Sequence, residues 1–93
     1  MADYDVAVSD GTNEEMFEQW GGDNTIGQLV EAAQEEGVGS ALDREKMGIQ
    51  FDNGTSSDKA IHQFSDISGH AIEDHCNETG TIVKLQGETK VGA

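Results

Sequence analysis

Apolar and polar residues alternate from Tyr4 to Val8, with Tyr4, Val6 and Val8 sharing one side. A period of two marks a half-buried strand. The Asp10-Gly11 pair that follows is a turn signal, and Glu14–Trp20 resumes as a second strand. The pattern therefore predicts a hairpin whose loop is longer than two residues. Strict alternation along the second strand sets Phe17 and Gln19 on one side and Met16, Glu18 and Trp20 on the other.

The period then changes. Gly21 and Gly22 interrupt the strand, and Ile26, Leu29, Val30 and Ala33 recur at i, i+3, i+4 and i+7, one face of a helix. Thr25 followed by Gln28 has capping-box spacing, with Asp23 and Asn24 as alternative caps. Gly37 suits the position after the last turn. Gly27 costs the helix about 1 kcal/mol relative to alanine; it either allows close backbone approach to a strand or is simply tolerated.

Beyond the helix, Val38–Lys46 reads as a loop or short helical turn. Met47, Ile49 and Phe51 alternate inward on a third strand, and Asn53-Gly54 predicts a tight hairpin turn into a weak strand at Asp58–His62. The stretch 64–80 has irregularly spaced apolar residues and reads as a compact loop anchored by a few of them, with room for a helical turn. Thr81–Gln86 closes as a strand with Val83 and Leu85 on one face and Ile82 on the other. The predicted architecture is α+β, one helix packed on a mixed four- to five-stranded sheet, as a single domain over 1–86 with a C-terminal tail at 87–93. A ferredoxin-like order is the other α+β solution and needs a second long helix.

Three segments carry a resemblance to the ubiquitin-like β-grasp family: "DNTIGQLVEAAQEEG" resembles its helix, "FSDISGHAI" the anchored segment before its last strand, and "GTIVKLQG" that closing strand. The resemblance covers roughly residues 3 to 86 and implies a non-catalytic domain that recognises a protein partner through its sheet face or an edge strand. Modifiers and sulfur carriers of this family end in a flexible Gly-Gly that an activating enzyme threads through a narrow channel. Here the end is Lys90-Val91-Gly92-Ala93, with one glycine and not in the last place. Gly92 and Ala93 are thus the candidate residues for a tail activated at its carboxylate, and the departure from Gly-Gly speaks against that chemistry.

Charge changes the picture further. Acids outnumber bases 19 to 5 in 93 residues, a formal charge of −14. The acids are spread from Asp3 to Glu88, which describes a solvated shell and not an acidic tail. The composition resembles that of proteins from salt-loving microbes, where screening relieves self-repulsion. The same surface also suits an acidic binder, or a nucleic-acid mimic that sequesters a basic protein. Direct binding of nucleic acid is not expected, because little positive charge is present to displace counterions. No apolar run approaches a membrane span and no basic, apolar leader pattern is seen, so a cytoplasmic chain away from membranes is expected, as a monomer.

Few residues suggest chemistry. His62, His70, His75 and Cys76 invite a metal-site reading, with His70, His75 and Cys76 as the candidate ligands. The spacing is not that of a finger or ribbon, and the plainer reading is three exposed histidines and a small half-buried thiol, with no metal and no cofactor. Cys76 beside a histidine also has the ingredients of a nucleophile and base, without an oxyanion motif. Trp20, the single tryptophan, either covers an edge of the core or stands out as an anchor for a partner. No catalytic residue is expected.

Overall fold

The computed structural model describes residues 3–53, 60–77 and 80–88. Five strands, β1 (Asp3–Ser9), β2 (Glu14–Gly21), β3 (Gly48–Asp52), β4 (Ile61–Gln63) and β5 (Thr81–Gln86), form one mixed sheet in the order β2-β1-β5-β3-β4. The central pair, β1 and β5, is parallel; the other three pairings are antiparallel. Helix α1 (Ile26–Glu35) lies between β2 and β3 in the chain. It buries Ile26, Leu29, Val30 and Ala33 in the same cluster as Val6, Val8, Ile49, Val83 and Leu85. One helix thus covers one sheet face, as the alternating strands and single amphipathic stretch predict.

The helix start is fully satisfied. Thr25 Oγ1 accepts from the Gln28 N–H at 3.1 Å while Gln28 Oε1 accepts from the Thr25 N–H at 2.8 Å, a complete capping box. The Leu29 N–H reaches the Thr25 carbonyl at 3.1 Å, and the Ile26 and Gly27 N–H groups donate to the carbonyls of His70 and Ser68 at 2.9 Å each. The first N–H groups of a helix have no internal partner, so the 68–71 stretch acts as a backbone cap. The close approach at Gly27 is therefore to this stretch and not to a strand: a Cβ there would sit 3.0 Å from the Ser68 carbonyl oxygen. At the other end Gly37 takes φ 91°, the left-handed conformation its position requires.

The compact loop is built from α2 (Phe64–Ile67) and a 3-10 turn at Ile72–Asp74. It is held by the buried side chains of Ile67, Ile72 and Cys76 and by the bonds from Ile72 N–H to the Asn24 carbonyl and Glu73 N–H to the Gly22 carbonyl. A second 3-10 turn spans Arg44–Lys46. β4 overlaps the expected Asp58–His62 at Ile61 and His62 and runs on to Gln63, with Gln50 opposite Ile61 and Gly48 opposite Gln63, while Asp58 and Lys59 lie outside the described residues. Gly54 of the expected Asn53-Gly54 turn and the tail residues Gly92 and Ala93 lie outside the described residues.

One expectation is overturned in β2. Tyr4 pairs with Trp20 but Val6 pairs with Phe17, so β2 carries an extra residue at this point. Gln19 takes φ 57° and donates its N–H to Asp5 Oδ1 at 3.1 Å. The bulge resets the alternation. Phe17 and Trp20 come to the same side, edge to face at 5.3 Å, and both pack on the core.

The first turn is clasped by Asp10. Its Oδ1 accepts the N–H groups of Thr12 and Asn13 at 2.8 and 2.6 Å, and its Oδ2 accepts from Gly39 N–H at 2.8 Å, tying the hairpin tip to the loop after α1. These backbone donors hold the Asp10 carboxyl down at about 2, below its ordinary 3.8. A depressed carboxylate stabilises the fold above its unfolded value, so this contribution is present above 3.8 and lost as pH falls toward 2. Asp10→Ala is expected to cost about 1 kcal/mol, since solvent replaces part of what is lost. Urea titration of the variant at neutral pH measures that cost; an unchanged midpoint would show the clasp to be decorative.

Candidate interaction surface

Among the described residues no helix covers the sheet face away from α1. Along β5 the inward residues Thr81, Val83 and Leu85 are buried, while Ile82, Lys84 and Gln86 are exposed. On this outer face Ala7 lies directly between Met16 on β2 and Ile82 on β5, its cross-strand partners on either side. The small methyl of Ala7 leaves the floor of a trough whose walls are the two longer side chains. Met16 is 53% exposed and Ile82 38%, whereas Ala7 is covered by its neighbours at 6%. Ile61, on the far edge strand, is exposed as well. Single exposed apolar residues are ordinary; here two of them flank one covered alanine across three adjacent strands.

This trough opens into a depression of about 640 Å³ bounded by Asp5 and Asp52 and by a polar wall of Asn53, Gly80 and Thr81. The wall is internally bonded. The Thr81 hydroxyl donates to Asn53 Oδ1 at 2.5 Å and accepts from the Asn77 N–H at 3.0 Å, and Asn53 Nδ2 donates to the His75 carbonyl at 3.4 Å. Lys84 Nζ lies 3.4 Å from Asp52 Oδ2, leaving the surface around the trough acidic in balance. Its chemistry is an apolar floor with carboxylates at the rim.

The candidate chemical residues fall elsewhere. His70 and His75 do converge, with His70 Nδ1 and His75 Nε2 3.0 Å apart, and the His75 ring stacks on Phe51 at 4.8 Å. His62 joins this cluster, its ring 5.4 Å from that of His75. Cys76 points away into the core, 7% exposed. Burial pushes its thiol up to about 11, against a weaker opposing effect of a hydrogen bond with Thr81. A thiol so placed stays protonated at neutral pH. Among the described residues no three His, Cys, Asp or Glu side chains are arranged to hold a metal ion. Trp20 is half-buried against the core beside Phe17, so it covers an edge more than it offers an anchor. The trough itself was hidden from the sequence: alternation sends Ile82 and Met16 outward, but only strand pairing shows that they flank the same alanine.

Among the described residues no helix is long and apolar enough to cross a membrane. Comparison with family models, with curated proteins and with solved structures gives no match for this chain.

Proposed function

We propose that this chain is a ubiquitin-like β-grasp domain serving as a non-catalytic, acidic protein-interaction module, with the Met16–Ala7–Ile82 trough as its docking surface. The strand order, with a parallel central pair and a single long helix crossing one face, supports the fold reading. The observation that carries the function is the pair of exposed apolar side chains, Met16 and Ile82, that flank Ala7 on the face away from α1, beside Asp5 and Asp52. It suits a partner segment that brings an apolar side chain to the floor and lysine or arginine to the rim. The edge strands suit this role less well. β4 is three residues long, and β2 carries a bulge with Glu14, Glu15 and Glu18, devices that discourage strand addition.

Affinity capture from cell extract at molar salt tests the reading. Ile82→Asp places a charge on the trough without touching the core, and is expected to abolish capture of whatever the native chain retains while leaving the melting midpoint within a few degrees. A chain lacking its last four residues should capture as the full one does. The opposite pattern, capture that survives Ile82→Asp but needs the tail, would support activation at the C-terminus instead, as would mass spectrometry finding Ala93 or Gly92 in an isopeptide or thiocarboxylate. Capture confined to low salt would favour the nucleic-acid mimic.

A further inference from the structure

Three imidazoles meet at one corner of the molecule: His62 from β4, and His70 and His75 from the segment between α2 and β5. The His70 and His75 ring planes are 3° apart with centroids at 5.3 Å. That separation equals the 3.0 Å gap between their facing nitrogens plus one ring radius at each end. The two rings are therefore edge to edge in a common plane, each aimed at the other, and not face to face. Such a contact is an N–H···N hydrogen bond: one ring donates and the other accepts. It needs one proton between the two facing nitrogens. When the pair takes up one proton the bond survives, because a cationic ring still donates to a neutral one; when it takes up a second, both rings are cationic and two N–H groups and two positive charges face each other.

We infer that His70 and His75 form a one-proton latch that closes the 68–77 segment onto the helix start and the docking trough at neutral pH, and releases it as the pair takes up a second proton. What the latch holds follows from the backbone. The carbonyl of His70 accepts the first helical N–H, from Ile26, and Ala71 bridges Thr25. The carbonyl of His75 accepts from Asn53, whose own oxygen receives the Thr81 hydroxyl in the trough wall. Release of His75 thus loosens that wall, so the latch regulates the surface proposed above. The latch itself does not depend on what binds there.

The surroundings favour the single-proton state. His75 lies on uncharged Phe51 from β3, faces His62 from β4 and His70 within its own segment, and has Asp74 as its chain neighbour. Burial first, and then the charges of His62 and His70, lower its affinity for a proton, with Asp74 acting weakly the other way. A histidine whose folded value is depressed stabilises the fold above its unfolded value of 6.5 and loses that contribution as pH falls below it. The facing nitrogens leave no pair of lone pairs converging on an ion, so the latch is not a chelate as it stands.

Long-range proton–nitrogen NMR on the full chain at fixed molar salt, from about pH 8 to pH 5, reads the latch directly. In the native chain His75 is expected to titrate below the ordinary histidine value. His70→Gln, an exposed neutral replacement, should move that titration upward and flatten the fall of melting midpoint with pH. The Asn53 and Thr81 amide shifts should follow the His75 curve in the native chain only. Identical His75 titration in the native chain and His70→Gln overturns the inference. So does a midpoint with the same pH dependence in both. Zinc ion alone, added at neutral pH, should leave the midpoint unchanged; a rise that His70→Gln abolishes would make the pair a metal site and sink the latch. Loss of capture by Ile82→Asp is read separately, so the docking reading and the latch fail independently.

Discussion

Ile72→Ala is expected to lower folding stability by about 2–5 kcal/mol, the range for truncating a fully buried isoleucine to alanine. Ile72 belongs to no strand and no long helix; it sits on a 3-10 turn of three residues. Yet it is completely buried, one of the large side chains that fill the space between α1 and the sheet. Its N–H donates to the Asn24 carbonyl at 2.8 Å, which fixes the turn against the approach to the helix. Truncation leaves a void that the bonded backbone on both sides cannot close. A chain of this size has only about 5–15 kcal/mol in total, and each kcal/mol moves the midpoint by roughly 4–8 °C. Ile61→Ala is the internal control: the same chemical change at a side chain 56% exposed on an edge strand should cost under about 0.5 kcal/mol. Thermal unfolding followed by circular dichroism at molar salt separates them. Equal losses in the two variants would mean that the segment after α2 is not part of the core.

Salt is expected to have the second large effect. A formal charge of −14 is spread over a domain whose Cα radius of gyration is 12.3 Å, so most acids lie within a screening length of several others in dilute buffer. That length is about 10 Å at 0.1 M and about 3 Å at 1 M. Two ion pairs are seen among the described residues, Lys46–Glu88 and Lys84–Asp52, both partly or fully in solvent. Salt weakens them, but exposed pairs contribute little, against repulsion summed over fourteen unbalanced charges. The repulsive sum wins, and the melting midpoint should climb steadily from dilute buffer to molar potassium chloride and then level off. Backbone dispersion in proton–nitrogen spectra should sharpen over the same range. A midpoint that is flat or falls with salt would remove the argument that this surface is adapted to high ionic strength.

Much of the architecture is legible because it rests on local periodicity. Thr25 and Gln28 cap the helix as their spacing requires, Ile26, Leu29, Val30 and Ala33 face inward, and Tyr4, Val6, Val8, Val83 and Leu85 take the core side of their strands. Burial drives each of these choices, and burial follows the period of two or of 3.6. The misreading of β2 is instructive. Glu18 and Gln19 give no turn signal, and a bulge depends on what the neighbouring strand offers: here the Asp5 carboxylate catches the displaced Gln19 N–H. Counting by twos therefore places Phe17 and Trp20 on opposite sides, while pairing with Val6 and Tyr4 puts them together.

The candidate surfaces were less legible still. His70 and His75 are five apart in a segment without regular period, so nothing local says that their rings align. The same holds for Met16, Ala7 and Ile82, which come from three strands far apart in the chain. By itself, then, the order of residues determined the long helix and its cap, the regular strands with the inward faces of β1, β3 and β5, and the acid excess, since these depend on neighbours a few positions away or on a total. Only the tertiary structure decided which outward residues flank the same alanine, which imidazoles meet and why Cys76 is buried, because those facts arise from pairing that brings separate segments within reach.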